Sequence, residues 1–200
     1  MTDIKSETEE SEGDPSYSYK PGLVSAPLML WLRRGGLEFR STYANGFIPY
    51  DRIRRVRLMY RPATMQGYRF TTEIWSTGAP KLQVVSTTWG GLALQQRLDA
   101  SYATFVTELH RRLAAAGSKA QFRRGMASIA FAFGTAVVAA VVFAFLMLMF
   151  QAAQLSDWRS SAVIAAIFAV FAWQLGNFFV RNRPGDYRPE AIPPQLLPRA

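Results

Sequence analysis

Two uncharged apolar stretches near the C-terminus constrain the fold of this chain more than any other feature. The first has 25 residues, from Met126 to Phe150, and the second has 21 residues, from Ser160 to Val180. A helix of about 20 apolar residues crosses the hydrocarbon core of a bilayer. The sequence therefore predicts a transmembrane hairpin over 125–180, with spans at about 126–150 and 160–180, and argues against a simple soluble enzyme.

Basic residues gather at the span ends that lie away from the short connection between the spans. Residues 21–124 contain sixteen bases and five acids, 181–200 also have a positive balance, and the connection contains one base, Arg159. Cytoplasmic flanks of membrane helices are enriched in Lys and Arg, so both termini are predicted to be cytoplasmic. Arginine outnumbers lysine 19 to 4, which is typical of a GC-rich bacterial genome and points to a bacterial inner membrane.

Residues 1–20 are acidic and rich in Ser and Glu, which predicts a disordered tail. Cysteine is absent from the chain, which excludes disulfides and thiol catalysis.

Strand signals fill the region between this tail and the spans. Apolar and polar residues alternate along 28–42, 52–61 and 68–74, Asn45-Gly46 favours a hairpin turn, and 82–88 is rich in β-branched residues. A helix is predicted from Asp99 or Ser101, either of which can cap it, to Ala116, with Gly117 as the stop signal. Its apolar stripe is Tyr102, Phe105, Val106, Leu109 and Leu113. The predicted class is α+β, a small antiparallel β-barrel or sandwich closed by one amphipathic helix.

A short segment within this region resembles a known family. The residues Ile48-Pro49-Tyr50-Asp51-Arg52-Ile53-Arg54-Arg55-Val56 resemble the I-P-Y/W-x-x-I-x-x-V segment of bacterial PH-like domains. The resemblance covers about 23–117 and implies a cytosolic PH-like domain over 21–120. In many membrane proteins with such domains the spans precede the PH-like module, whereas here they follow it.

Arginines on the strand predicted over 52–61, which overlaps this segment, form the most suggestive surface. Alternation places Arg55, Arg57 and Arg61 on one strand face. A wider basic surface would add Arg33, Arg34, Arg40 and Arg69. The predicted partner- or lipid-binding residues are Arg55, Arg57, Arg61 and Arg69. Anionic lipid headgroups and a protein partner are both compatible with such a surface, as is a merely solvated strand face, whereas membrane tethering disfavours nucleic acid.

Candidates for catalysis are few. His110 is the single histidine, and without a nearby nucleophile or orienting partner it is predicted to be a solvated or interfacial helix residue. One histidine cannot supply a zinc site. The sequence predicts no catalytic, metal-binding or cofactor-binding residue and identifies no small-molecule substrate.

Small and polar residues within the spans suggest helix contacts. Ala130 and Gly134, and likewise Ala172 and Gly176, lie four apart, which predicts packing in a tight hairpin or a homo-oligomer. Gln174 and Asn177 lie three apart near the cytoplasmic end of the second span. A transport pathway would use them, but interfacial water or a partner helix explains them more simply.

The segment 181–200 contains five prolines, which favour extended chain. Its apolar residues give the hypothesis that Tyr187, Ile192, Leu196 and Leu197 dock onto the PH-like domain or a partner, with a disordered tail as the alternative.

The expected function is that of a non-catalytic scaffold or adaptor at the membrane. An accessory subunit of a transport or envelope-assembly complex is the alternative, and a membrane enzyme is less favoured.

Overall fold

The computed structural model describes residues 14–64, 67–90, 95–154 and 158–198. The chain divides into two compact units. The β-unit comprises Met1–Arg124 together with Asp186–Ala200, and the hairpin unit comprises Gly125–Gly185.

Eleven strands and three α-helices occur in the described residues. The strands are β1 (Ser16–Tyr19), β2 (Leu28–Leu32), β3 (Gly36–Arg40), β4 (Asn45–Pro49), β5 (Ile53–Thr64), β6 (Gly67–Ser76), β7 (Leu82–Val85), β8 (Thr87–Trp89), β9 (Gln95–Arg97), β10 (Gln121–Arg124) and β11 (Gly185–Asp186). The helices are α1 (Asp99–Ala115), α2 (Ser128–Gln154) and α3 (Trp158–Arg181).

The strands form three sheets. One has the order β1-β2-β3-β4, the second β11-β10-β5-β6-β7, and the third is the β8-β9 pair. Neighbours from β1 to β4, from β5 to β7 and in the β8-β9 pair are antiparallel, while β10 runs parallel to β5. The predicted α+β class with antiparallel sheets and two long apolar helices is confirmed. The described strands do not close into a barrel, and the parallel strand β10 was not anticipated.

The core of the β-unit follows the alternation seen in the sequence. Val56 and Leu58 of β5 and Ile74 of β6 are fully buried. Every residue of the predicted α1 stripe is also buried: Tyr102, Phe105, Val106, Leu109 and Leu113. Because burial of one such side chain contributes about 1.5–3 kcal/mol, this shared face fixes the helix against the sheets.

The predicted disordered tail over 1–20 is wrong at its C-terminal end, because Ser16–Tyr19 form β1. Tyr17 and Tyr19 are buried there, and their hydroxyls donate to backbone carbonyls of β7, Tyr17 to Val85 at 2.6 Å and Tyr19 to Gln83. Buried tyrosines need such a partner for the hydroxyl, and the carbonyls of an edge strand supply it. Residues 1–13 lie outside the described residues.

The two ends of α1 differ from expectation in one respect. Leu98 occupies the N-cap position without a side-chain hydrogen bond, so neither Asp99 nor Ser101 caps the helix. Asp99 is the first helical residue, where its charge favours the helix dipole. Gly117 has a φ of +61°, which confirms it as the stop signal.

In the hairpin unit, α2 and α3 are long and apolar enough to cross a membrane, over Ser128–Ala152 and Ala162–Arg181. Their outer ends meet at Gly125 and Asn182. The Met126 N–H donates to the Asn182 carbonyl at 2.9 Å, and a Cβ at Gly125 would lie 2.3 Å from that oxygen. Gly125 also has a φ of +72°, so both its conformation and the close approach require glycine.

The four predicted helix-packing residues have different surroundings. A Cβ on Gly134 would lie 3.2 Å from the Phe179 ring, so Gly134 packs between α2 and α3. A Cβ on Gly176 would have no heavy atom of the described residues within 4 Å, and Ala130 and Ala172 are exposed. Packing of the hairpin against a second copy through these three residues stays a prediction.

The C-terminal segment docks on the β-unit, as hypothesised. The Tyr187 N–H donates to the Phe122 carbonyl at 3.1 Å. Leu196 is only 1% exposed and belongs to the core, with Ile192 and Leu197 packed against it. A disordered tail is therefore excluded for the described residues up to 198.

Candidate functional site

One face of the five-stranded sheet carries Arg55 and Arg57 of β5. The antiparallel register places Arg55 opposite Trp75 and Arg57 opposite Glu73. Since side chains two apart on a strand share a face, all four project from the same side. Val56 occupies the alternate position in the core, which is why the arginines point outward.

Trp75 lies at the centre of these side chains. The charged groups of Arg57, Arg55 and Lys81 lie 5.1, 5.6 and 5.6 Å from the centroid of its ring. Cations within about 6 Å of an indole are attracted to the ring quadrupole. We call Trp75 with Arg55, Arg57, Lys81 and Glu73 the Trp75 cluster.

The Trp75 cluster contains one buried carboxylate, that of Glu73. Glu73 is almost completely buried, and the Lys81 Nζ lies 3.1 Å from its Oε1. Burial lowers the pKa of the Arg57 guanidinium, and the positive charges of Arg55 and Arg123 lower it further, while Glu73 acts in the opposite direction. Arginine nevertheless stays charged at neutral pH. The Trp75 cluster thus holds three cations against one carboxylate.

A fourth cation comes from β10, whose parallel register places Arg123 beside Arg57. Its Nε lies 3.6 Å from a carboxylate oxygen of Asp186, which is beyond hydrogen-bond distance. Among the described residues, the buried Nε atoms of Arg55 and Arg123 have no hydrogen-bond partner. The side chain of Arg123 is itself partly exposed, so its positive charge adds to that of the Trp75 cluster.

The other predicted arginines do not join the Trp75 cluster. Arg69 is half-buried and pairs in register with Arg61 at the far end of β5 and β6. The side chain of Arg61 lies outside the described residues. Arg40 lies in β3 of the four-stranded sheet and Arg33 directly follows β2 of that sheet, so the predicted basic surface is divided between two sheets.

Trp31 forms a second arginine–aromatic group, and unlike the Trp75 cluster it has no excess of positive charge. Arg33 and Arg40 lie 6.0 and 5.6 Å from its ring centroid. Arg33 also pairs with Glu38 at 2.8 Å and with Asp14 at 3.3 Å, and Arg40 lies 3.6 Å from Glu38. Carboxylates therefore neutralise this group, whereas the Trp75 cluster keeps an excess of positive charge.

The sequence prediction of the site did not include Trp75, Lys81 or Arg123, and only Trp75 has a signal in the sequence. Trp75 continues the alternation of Arg69, Thr71 and Glu73, and it could have been placed on the arginine face from spacing alone. Lys81 and Arg123 enter through the turn before β7 and through the parallel strand β10. These two residues depend on tertiary structure that no local pattern indicates.

His110 is buried, so the predicted solvated or interfacial position is wrong. Its Nδ1 lies 2.7 Å from the Val106 carbonyl oxygen, and its Nε2 lies 2.8 Å from the Tyr187 hydroxyl. A carbonyl only accepts, so Nδ1 carries the proton and Nε2 accepts from the hydroxyl. Burial lowers the pKa of the imidazole to about 4. His110 thus ties the C-terminal segment to α1 as a neutral side chain.

Within the described parts of the chain, no three His, Asp or Glu side chains come together as metal ligands. No protein-family model matches the chain, and no curated protein and no solved structure was found to be similar to it. Function must therefore be inferred from the Trp75 cluster and from the two apolar helices.

Proposed function

We propose that this chain is a non-catalytic adaptor of the bacterial inner membrane. Its two apolar helices span the bilayer with both termini in the cytoplasm. Its β-unit is a PH-like domain that holds an anionic partner at the membrane surface, either an acidic protein segment or lipid headgroups. The Trp75 cluster is the surface that binds this partner.

The observation that carries the proposal is the excess of positive charge around Trp75. Arg55, Arg57 and Lys81 crowd one ring, and Glu73 is the single carboxylate within this cluster. Like charges held close together repel one another unless an anion lies between them. The group around Trp31 has its own carboxylates, so it offers no comparable attraction.

The chemistry of the Trp75 cluster suits recognition. Tryptophan and arginine are enriched among the residues that dominate binding energy at protein interfaces. Near an anionic leaflet, each well-placed base contributes about 1 kcal/mol of attraction. Arg123 precedes the first residue of α2 by only five positions in the sequence, so this basic residue is close along the chain to the proposed membrane anchor.

The experiment compares a double variant, Arg55→Gln with Arg57→Gln, with a control of equal charge change. The control is Arg40→Gln with Arg52→Gln, two exposed arginines outside the Trp75 cluster. Each full-length protein is purified from native membranes in mild detergent, and copurifying proteins are identified by mass spectrometry. We expect a stoichiometric partner that is retained by wild type and control and lost from the double variant.

If no protein copurifies with the wild type, the same three proteins are reconstituted and tested for capture of vesicles with and without phosphatidylglycerol. Selective loss of capture by the double variant would identify lipid as the anionic partner. Equal behaviour of the double variant and the control in both assays would contradict the adaptor proposal. Recovery of integral membrane subunits with all three proteins would favour an accessory subunit instead.

A further inference from the structure

Two amide side chains lie exposed on α3 within its apolar span. Gln174 and Asn177 are exposed on the hairpin unit, and no other described residue forms a hydrogen bond with either side chain. An unsatisfied amide in hydrocarbon costs several kcal/mol, about 4–8 kcal/mol for transfer from water to cyclohexane. Exposure of two such groups on one helix therefore requires an explanation.

These amides point away from α2. The contact side of α3 is marked by Phe168, whose ring centroid lies 5.6 Å from that of Phe145, and by Phe179, which lies 5.4 Å from Phe131. Successive residues turn by about 100° around a helix, so Asn177 lies about 200° from Phe179. Within the hairpin unit, the amides are on the side of α3 that α2 leaves uncovered.

The uncovered side of α3 has the spacing of a helix-pairing seam. Its positions follow one another at intervals of three, four, three, four and three residues, and every side chain is exposed: Val163, Ala166, Val170, Trp173, Asn177 and Val180. Trp173 is 71% exposed and Val180 is 76% exposed. An alternation of three and four is the repeat with which two helices pack along a common seam. One polar Asn in such a seam fixes register and the number of strands.

Water at the membrane surface can form hydrogen bonds with Asn177 more readily than with Gln174, which lies further from the end of α3. With a rise of about 1.5 Å per residue, Gln174 lies about 10 Å along the axis from Arg181, the last residue of α3. An amide has both donors and an acceptor, so an identical amide satisfies it. When two copies of α3 run parallel about a twofold axis, Asn177 meets Asn177.

We propose that α3 pairs with α3 of a second copy of this chain along the seam from Val163 to Val180. The Asn177 amides of the two copies bond to each other within the bilayer, and Gln174 flanks that contact. The pairing rests on the proposed membrane insertion but requires neither the Trp75 cluster nor its partner. It also differs from packing through Ala172 and Gly176, which lie on another side of α3.

The chain contains no cysteine, so single cysteines report contacts without background. Val170→Cys places a thiol in the seam, and Ala172→Cys places one on an exposed position outside it. Both full-length proteins are oxidised in native membranes and separated without reductant. We expect a disulfide-linked dimer of this chain from the Val170→Cys protein and at least tenfold less from the Ala172→Cys protein.

A second arm tests the amide itself. Adding Asn177→Leu to the Val170→Cys protein removes the polar contact, and adding Gln151→Leu is the control, because it removes an exposed amide at the opposite end of the hairpin. Interhelical polar contacts in membranes contribute roughly 0.6–2 kcal/mol, so Asn177→Leu should weaken dimerisation about threefold to thirtyfold. Gln151→Leu should leave it unchanged.

Resistance to alkaline carbonate extraction establishes insertion for every variant, so a failure of the membrane proposal is distinguishable from a failure of pairing. With the protein inserted, several results would overturn the pairing. They are equal crosslinking at positions 170 and 172, crosslinking at 172 alone, no dimer at all, a crosslink to a different protein, or a dimer that Asn177→Leu does not weaken.

Discussion

Burial, and not the identity of neighbouring residues in the sequence, determines the role of His110. It lies four residues after Val106 and three before Leu113, so helix spacing alone places it at the border of the buried stripe. Its hydrogen-bond partner Tyr187 lies 77 positions further along the chain. A local pattern could thus indicate the border position, but it could not predict a neutral, hydrogen-bonded imidazole.

This burial predicts a loss of stability in mild acid. The pKa of His110 is about 4 in the folded chain, and that of an exposed histidine is about 6.5, so the unfolded chain binds the proton first as the pH falls. The contribution to stability is complete above pH 6.5, decreases between about 6.5 and 4, and amounts to about 3 kcal/mol. His110→Gln, which stays neutral, should remove this dependence.

The measurement is urea unfolding of the full chain in mild detergent, monitored by circular dichroism at a series of pH values from 7.5 to 4. The free energy of unfolding of the wild type should decrease more steeply than that of His110→Gln across this range. Since all carboxylates are common to both proteins, their titration cancels in the comparison. Parallel pH profiles would show that His110 is not the group that responds.

Among the elements, the C-terminal segment shows what composition can and cannot predict. The apolar residues among the prolines indicated docking, and the structure places Leu196 in the core of the β-unit. The partner strands could not be predicted. Strand β11 pairs with β10, and β10 enters the sheet beside β5, which precedes it by more than fifty residues. Contacts at such separation leave no trace in local periodicity.

Docking of this segment predicts a measurable loss of stability from one substitution. Leu196→Ala removes a fully buried side chain and should lower the free energy of unfolding of the β-unit by about 2–5 kcal/mol. Gln195→Ala is the neighbouring control, because Gln195 is exposed. Thermal unfolding of the full chain and limited proteolysis should both show the difference, and the same midpoint for both variants would contradict a core position for Leu196.

For the whole molecule, the α+β class and the two apolar helices were predictable because they depend on periodicity and on length. The α1 stripe and the alternation of β5 and β6 are local patterns of this kind. The division of the strands into separate sheets was not predictable, since it depends on which edges pair. For the same reason, the Trp75 cluster could not be predicted from the sequence, because Arg55 lies in β5 whereas Lys81 lies in the turn before β7.

The distribution of charge along the chain predicts one orientation in the membrane. Residues 21–124 and 181–200 are basic, and the connection between the spans has one arginine and one aspartate, so the connection should face outward. Because the chain lacks cysteine, Ser156→Cys and Gln195→Cys each provide a single label site. An impermeant maleimide applied to intact spheroplasts should label Ser156→Cys and leave Gln195→Cys unlabelled until the membrane is permeabilised.

The reverse pattern would invert the topology and place the Trp75 cluster on the outer side, where no partner from the cytoplasm could reach it. Equal labelling of both positions in sealed membranes would show that α2 and α3 do not cross the bilayer as a pair.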